Sequence, residues 1–530
     1  MQSYFKANGD SQKNTPISQT LPMDITFPPD NSCSFAAAAS QEPCTIVIFG
    51  ASGDLTARKL LPALFNLFVS DNLPKPFSIV GCSRTVLTDE AFRTKLREAC
   101  DESGTKECKK WPEFAANLHY QQVTYDSQPD YAALAEYLRK LDDQKNTGGN
   151  RIFYLAVPPT LYPLIAEKLG DAGLAEEKND KNGWSRIVVE KPFGRDLQTA
   201  MDLDRTIHKN FKEHQVFRID HYLAKETVQN ILMLRFANTI FEPLWNRNHI
   251  DYVAIVAAEN LGVEHRAGYY EQAGVIRDMF QNHLMQLLAL TAMEPPSHFE
   301  SAMVQDEKVK IFRSLKPYTP ENLPDSLILG QYGSGTINDR NVPAYREEPG
   351  VNPHSLTPTF ALLRLFIDNW RWRDVPFYLL SGKRLNHKVT KIIVQFKRVP
   401  HSMFRDVLDE RIIANRLILG VFPEEEISLS FQAKMPSSRA CLHSVNMNYH
   451  YGESSGGPTL GAYEKVLADC IQGDHMLFWR QDGVELTWSL LTPILFECEE
   501  CAAREYPVHP YTAGSWGPEA AQKWTRLFID

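Results

Sequence analysis

From residue 44 onward the chain alternates short apolar runs with longer stretches of helical spacing. Residues 44–49, 77–81, 120–124, 152–157 and 186–190 read as strands. The first is apolar or β-branched throughout, as in a parallel strand covered on both faces. Residues 55–69, 89–100, 131–141 and 161–169 carry the helical period between them. The first of these does so through Leu55, Leu60, Leu61, Leu64, Phe65 and Phe68. Such alternation implies right-handed crossovers and a doubly wound, Rossmann-like sheet. After about residue 220 the rhythm changes. Residues 252–258, 360–367, 375–380, 391–396 and 427–431 read as strands, many with one polar face, and 271–292 and 460–471 read as helices. Gly333-Ser334-Gly335 and residues 454–457 read as turns. The pattern predicts an α/β chain: an N-terminal Rossmann-like doubly wound domain over 44–220, then a C-terminal α+β domain with a large, mainly antiparallel sheet over 221–530.

Residues 1–43 differ: they are rich in Ser, Asn, Gln and Pro and lack hydrophobic periodicity, which predicts a disordered tail. They show neither the apolar core of a secretory signal nor the arginines of a transit peptide. The net charge of −9 over 530 residues gives no basic excess for nucleic acid. The longest apolar runs fall far short of the ~20 residues that span a bilayer. Nine cysteines are dispersed singly except for Cys498 and Cys501, which fits reduced thiols in a cytoplasmic setting. A lone Cys-x-x-Cys supplies half a zinc site, so no metal is expected.

The first strand runs into Gly50-Ala51-Ser52-Gly53-Asp54-Leu55 and then a helix. Glycines there let the backbone turn tightly and approach a pyrophosphate, and the helix start offers free N–H groups to the anion. The spacing is not the usual GxGxxG; the strand–turn–helix context carries the reading. NAD enzymes usually end the second strand with an acid that binds the ribose hydroxyls. Here it ends Gly81-Cys82-Ser83-Arg84, with no acid before Asp89, and Arg84 could clamp a 2′-phosphate. The expected cofactor is NADP.

Residues 218–226, Arg-Ile-Asp-His-Tyr-Leu-Ala-Lys-Glu, concentrate titratable groups at a strand-to-helix junction. A helix starting near Tyr222 would place His221 and Lys225 about one turn apart, a suitable pair for a phosphate dianion. The 271–292 helix carries Arg277-Asp278 and Gln281-Asn282-His283 beside a stripe of Ile276, Phe280, Leu284 and Leu287. His283 is therefore expected to be at least partly buried. A neutral imidazole oriented by a carboxylate can accept an alcohol proton as hydride leaves the carbon.

These blocks, with Glu190-Lys191-Pro192-Phe193-Gly194, resemble the glucose-6-phosphate dehydrogenase family in order and spacing. The likeness runs from about residue 45 to Tyr511-Thr512-Ala513-Gly514-Ser515-Trp516-Gly517-Pro518 and leaves out the tail. It implies oxidation of glucose 6-phosphate to 6-phosphoglucono-δ-lactone with NADP, at the entry to the oxidative pentose phosphate pathway. It implies His283 as general base, Asp220 as its partner, and Lys191 between substrate and nicotinamide, with a cis bond to Pro192. His221, Tyr222 and Lys225 would hold the phosphate, Glu259 and Asp278 the sugar hydroxyls, and Lys383 and Lys388 would complete the pocket. Gly50, Ser52, Gly53, Asp54, Leu55, Ser83, Arg84 and Lys191 would bind the cofactor. A homodimer or homotetramer built on the second domain is also implied. Ala224 stands where the family block often has glycine, and no secure match appears for the second, structural NADP site of some members. The rival readings are another NADP-dependent sugar oxidoreductase and a catalytically silent nucleotide-binding scaffold.

Overall fold

The computed structural model describes residues 42–102, 108–177, 183–403, 412–436, 442–451, 460–496 and 506–529. The tail before residue 42, the 454–457 turn and the Cys498/Cys501 pair lie outside the described residues.

Cys44–Phe49 (β1) is buried at every position. It lies inside a six-stranded parallel sheet with Phe77–Ser83 (β2), Leu118–Gln122 (β3), Arg151–Leu155 (β4), Ser185–Val189 (β5) and Val216–Arg218 (β6). The order is β3-β2-β1-β4-β5-β6. Strand order reverses between β1 and β4, and the carboxyl ends of the strands open a crevice there, the usual dinucleotide position in this topology. The doubly wound expectation holds. Among the elements with no counterpart in the sequence reading are β6 and the helix Leu197–His208 before it. That helix starts on a capping box, in which the Asp196 carboxylate accepts from the Thr199 amide at 2.7 Å and the Thr199 hydroxyl faces back.

The second sheet has nine strands. They are Ile250–Ala258 (β7), Leu327–Gly333 (β8), Phe360–Phe366 (β11), Pro376–Gly382 (β12), Val389–Phe396 (β13), Arg416–Phe422 (β14), Glu426–Lys434 (β15), Leu442–His450 (β16) and Val508–Thr512 (β17). A two-stranded ribbon, Gly335–Ile337 (β9) and Arg340–Val342 (β10), follows the bend at Ser334. The order is β16-β15-β14-β13-β7-β12-β11-β8-β17, and β7–β12 and β8–β17 are the parallel pairs. The mainly antiparallel sheet is as expected.

The single 271–292 helix is not. Gly274, at φ 58° and ψ −179°, kinks the segment Ala267–Val275, after which the chain runs with helical backbone through a π-helical stretch Ile276–Leu284 into Met285–Ala292. Glycine alone enters that backbone region cheaply, so the kink falls on the glycine.

Gln41–Asp530 form one compact unit. Val47, Phe153 and Ile187 of the first sheet share a hydrophobic cluster with Ile255, Leu363 and Leu379 of the second and with Phe280, Leu284 and Leu288. The boundary expected at residue 220 falls in the turn after β6. The helix Ala462–Gln472, late in sequence, returns to the first sheet: Leu467 and Cys470 pack with Leu60 and Leu64. Asn66 Nδ2 also donates to Glu464 at 2.7 Å. Among the described residues no helix is long and apolar enough to cross a membrane.

Candidate functional site

The site is built where three chain segments meet: the ends of β5 and β6 and the π-helical stretch. In a π turn residues five apart hydrogen-bond and lie over one another, whereas in an α-helix they diverge. Asp278 and His283 are five apart, and both face Lys191. Lys191 Nζ lies 3.0 Å from His283 Nε2, 3.1 Å from the Asp278 carbonyl and 3.4 Å from Asp278 Oδ1. The Lys191–Pro192 peptide bond is cis. Asp220 follows β6 by two residues, and its Oδ1 lies 2.5 Å from His283 Nδ1. His283 and Asp220 are 1% and 3% exposed.

These contacts fix the imidazole tautomer from both sides. The Asp220 carboxylate accepts, so Nδ1 carries the proton. The Lys191 ammonium donates to Nε2, which keeps its lone pair. Burial lowers the pKa of His283 despite the pull of Asp220, so the ring is neutral near neutral pH. Burial alone would raise Asp220, but His283, His221 and Lys191 reverse this and hold the carboxylate ionised. Asp278 follows the same logic, with Lys191, Lys383 and Arg266 overcoming burial. The result is an oriented neutral base between two carboxylates and an ammonium.

The 218–226 block is a turn, and its helix begins at Glu226, not near Tyr222. Lys225 is the extended residue before it, at ψ 137°, so His221 and Lys225 belong to the turn and do not share a helical face. The Tyr222 ring stacks on His283 at 4.0 Å, and the His221 ring stands edge-on to His283 at 4.9 Å. Burial, with the neighbouring His283 and Lys191, pushes His221 down to about 3. Lys225 Nζ lies 5.5 Å from the Tyr222 ring centroid and 5.1 Å from Phe422, and Lys388 Nζ lies 4.4 Å from Phe422. Burial and the Lys388 charge lower Lys225 against the pull of Glu425. Glu259, just past β7, pairs with Lys383 at 2.6 Å, and Lys383 also faces Tyr270. A cleft of about 680 Å³ opens beside Lys191, lined among others by Pro159, Thr160, Tyr269 and Arg277.

At the carboxyl end of β1, Gly50 has φ +84°, and a Cβ there would stand 2.1 Å from the Ala156 carbonyl oxygen. The turn closes with Gly53 N donating to Gly50 O at 2.9 Å, and the helix begins at Asp54. Ser52 and Gly53 line the open side of this turn, with Leu55 half-buried beneath. Arg84 is exposed, its guanidinium 5.7 Å from the Tyr125 ring. Two candidates are otherwise engaged. The Ser83 hydroxyl meets Tyr120 OH at 2.7 Å, and the Asp54 carboxylate pairs with Arg58 at 2.6 Å. Lys95, which the sequence reading missed, donates to the Ser52 carbonyl at 2.8 Å and adds a cation to this rim. A tight glycine turn, a helix start and exposed cations fit the phosphates of a nicotinamide dinucleotide.

The chain matches two family models: the glucose-6-phosphate dehydrogenase NAD binding domain over residues 47–230, and the C-terminal domain of the same family over 232–527. It is 47% identical over 484 residues to a glucose-6-phosphate 1-dehydrogenase of Aggregatibacter actinomycetemcomitans, covering 91% of this chain and 95% of the relative. It is 44% identical to the Treponema pallidum (strain Nichols) protein of that name, covering 90% and 93%. Among solved structures, a glucose-6-phosphate dehydrogenase in complex with its substrate glucose-6-phosphate superposes with a TM-score of 0.84 at 35% identity, over 92% of this chain and 98% of that one. A glucose-6-phosphate 1-dehydrogenase from Mycobacterium avium gives 0.77 at 32%, with the same coverage.

Proposed function

The chain belongs to the glucose-6-phosphate dehydrogenase family, and from that premise we propose that its buried Asp220–His283 pair is the proton acceptor for oxidation of glucose 6-phosphate with NADP+. The observation that carries the reading is the neutral, oriented imidazole: Nδ1 tied to Asp220 at 2.5 Å, Nε2 facing Lys191 at 3.0 Å.

The substrate's C1 hydroxyl meets His283 Nε2, taking the place that Lys191 holds in this structure. His283 accepts the hydroxyl proton, and Asp220 stabilises the imidazolium that forms. The nicotinamide, when bound, supplies the acceptor for the C1 hydride. Lys191 orients the reacting carbon, while Asp278 and the Glu259–Lys383 pair accept and donate to the sugar hydroxyls. Lys225 and Lys388, with His221 and Tyr222, hold the phosphate across the Tyr222 ring from the base. Binding so far from C1 positions the reacting carbon, and a sugar lacking the phosphate loses rate as well as affinity. The product is 6-phosphoglucono-δ-lactone, which places the enzyme at the first step of the oxidative pentose phosphate pathway.

Arg84 favours NADP over NAD, since a guanidinium pairs with a 2′-phosphate and β2 ends without the acid that would repel it. Gly50, Ser52, Gly53 and Leu55 shape the pyrophosphate turn, Asp54 and Ser83 contribute through their backbone, and Lys191 reaches the nicotinamide end. Buried thiols at Cys44, Cys82, Cys100 and Cys470 suit a reducing compartment, the cytoplasm. The sheet end formed by β15 and β16 presents Met447 and Tyr449 and supports a homodimer or homotetramer. Absorbance at 340 nm tests the reading, with glucose 6-phosphate or glucose and with NADP+ or NAD+. Turnover that is indifferent to the substrate phosphate would move the assignment to another sugar oxidoreductase, and a folded chain without turnover would favour a nucleotide-binding scaffold.

A further inference from the structure

Lys308 projects from the buried face of the helix Ser301–Arg313 and is 1% exposed. Its hydrogen bond among the described residues is a long one, 3.5 Å to the Phe478 carbonyl, which already accepts from Gln305 at 2.6 Å. A buried ammonium so poorly paired is costly unless a charge nearby compensates it. The segment it touches leads straight to the catalytic pair. Trp479, next to Phe478, donates its amide to the Arg218 carbonyl at 3.1 Å, and Asp220 follows two residues later. Asp220 spends Oδ1 on His283 and on the Tyr222 amide, while its buried Oδ2 has no hydrogen-bond partner. An under-paired buried cation thus holds the segment that pairs with the end of β6, and an under-paired buried carboxylate oxygen lies two residues beyond that pairing.

We propose that Lys308 is a positioning residue for the reaction: its charge acts on Asp220 from behind and so sets how strongly Asp220 supports the proton on His283. This rests on the assignment of His283 as base. The other groups around Lys308 do not replace it. Arg480 opposes its charge but is held by Asp306 at 2.6 Å and Asp482 at 2.8 Å. Arg218 is bound to Asp204 at 2.6 Å and Glu213 at 2.8 Å. Asp220 remains the acid that favours the charged lysine, while burial pushes the amine down to about 7. Below that pH Lys308 is cationic, draws on Asp220 and makes His283 less basic.

The test is the pH dependence of kcat for wild type, Lys308→Met and Lys308→Arg at saturating glucose 6-phosphate and NADP+. Removing the cation makes His283 more basic, so the acid limb of the Met variant moves to higher pH, by roughly half a unit to one unit. The Arg variant keeps the charge and the wild-type limb, and KM for both substrates changes little in either. If the Met variant does not fold, Lys308→Gln, which is neutral and can still donate to Phe478, is read in its place. A folded neutral variant with an unmoved limb overturns the proposal, whatever its rate. A wild type with no acid limb, or a limb that survives in His283→Asn, defeats the base assignment itself and this inference with it.

Discussion

His283 Nδ1 and Asp220 Oδ1 stand 2.5 Å apart, both side chains buried. In such surroundings a hydrogen bond to a carboxylate is strong, and leaving either partner alone is costly. The pair therefore orients the ring before substrate arrives and accommodates the charge that appears when the ring is protonated. Lys191 on the opposite nitrogen keeps the lone pair directed at the cleft.

Asp220→Asn keeps the shape of the pair and removes its charge. An amide that donates to Nδ1 forces the other tautomer, with the proton on Nε2, where it cannot accept from substrate. The expected loss in kcat is on the order of 10² to 10⁴, with the affinity for glucose 6-phosphate changed much less. Steady-state rates and calorimetric binding on the same preparation separate the two. A variant that turns over at the wild-type rate would remove Asp220 from the mechanism.

Cofactor choice depends on Arg84, exposed at the end of β2. Arg84→Ala removes a charge-assisted hydrogen bond that only NADP+ can accept, worth about 1.5–3 kcal/mol. KM for NADP+ should rise roughly 10- to 100-fold on that basis, with KM for NAD+ little altered. An equal rise for both would mean that Arg84 serves the common part of the dinucleotide or the fold.

The first sheet was legible because its central strands are buried on both faces and leave unbroken apolar runs: β1 occupies the span its sequence predicts. β6 was not, because three residues are too short to set a period. The site was legible as residue types but not as an arrangement. A π turn has the same composition as an α turn, so the convergence of Asp278 and His283 on Lys191 could not be read from spacing. Lys308 was missed for a related reason. The helix Ser301–Arg313 was not among the expected elements, and tertiary packing alone reveals that the Lys308 amine stays inside. The return of the helix Ala462–Gln472 to the first sheet is likewise a tertiary fact.

Behind β6, Arg218 is 4% exposed and bridges Asp204 and Glu213, with His208 closing the ring at 3.0 Å from Glu213. Hydrogen bonds that His208 donates to Asp204 and Glu213 raise it from 6.5 to about 10. Burial would raise Glu213, but His208 and Arg218 bring it from 4.5 to about 2. The raised histidine adds stability that is complete below its unfolded value and lost as pH climbs through its folded one. The depressed glutamate adds stability that is complete above its unfolded value and lost as pH falls through its folded one. The network is thus fully effective between 4.5 and 6.5. Urea midpoints of wild type should fall between about pH 6 and about pH 9, and His208→Ala should flatten that slope. Arg218→Leu, which strands two carboxylates, should cost about 3–5 kcal/mol. A His208→Ala slope equal to wild type would show that the histidine gains nothing from the fold.

Gly50 and Gly53 belong to one turn but answer to different constraints. Gly50 sits at φ +84°, and a Cβ there would meet the Ala156 carbonyl oxygen at 2.1 Å and Val157 at 3.1 Å. The backbone that follows β4 stands in the way, so Gly50→Ala should cost at least about 1–3 kcal/mol in strain alone and displace the β1–β4 crevice as well. Gly53 has no such dihedral, and its Cβ would meet only Gly50 O, at 3.1 Å, while pointing to the open side where the pyrophosphate is expected. Gly53→Ala should therefore leave the melting temperature near wild type and weaken NADP+ binding. Gly50→Ala should lower both. Thermal melts with and without NADP+ distinguish the two: the Gly53 variant loses its ligand-induced rise in melting temperature from a normal starting point, while the Gly50 variant starts low. A Gly53→Ala enzyme with full NADP+ affinity would mean that the phosphates do not approach this turn, and the cofactor would have to be placed elsewhere along the β1–β4 crevice.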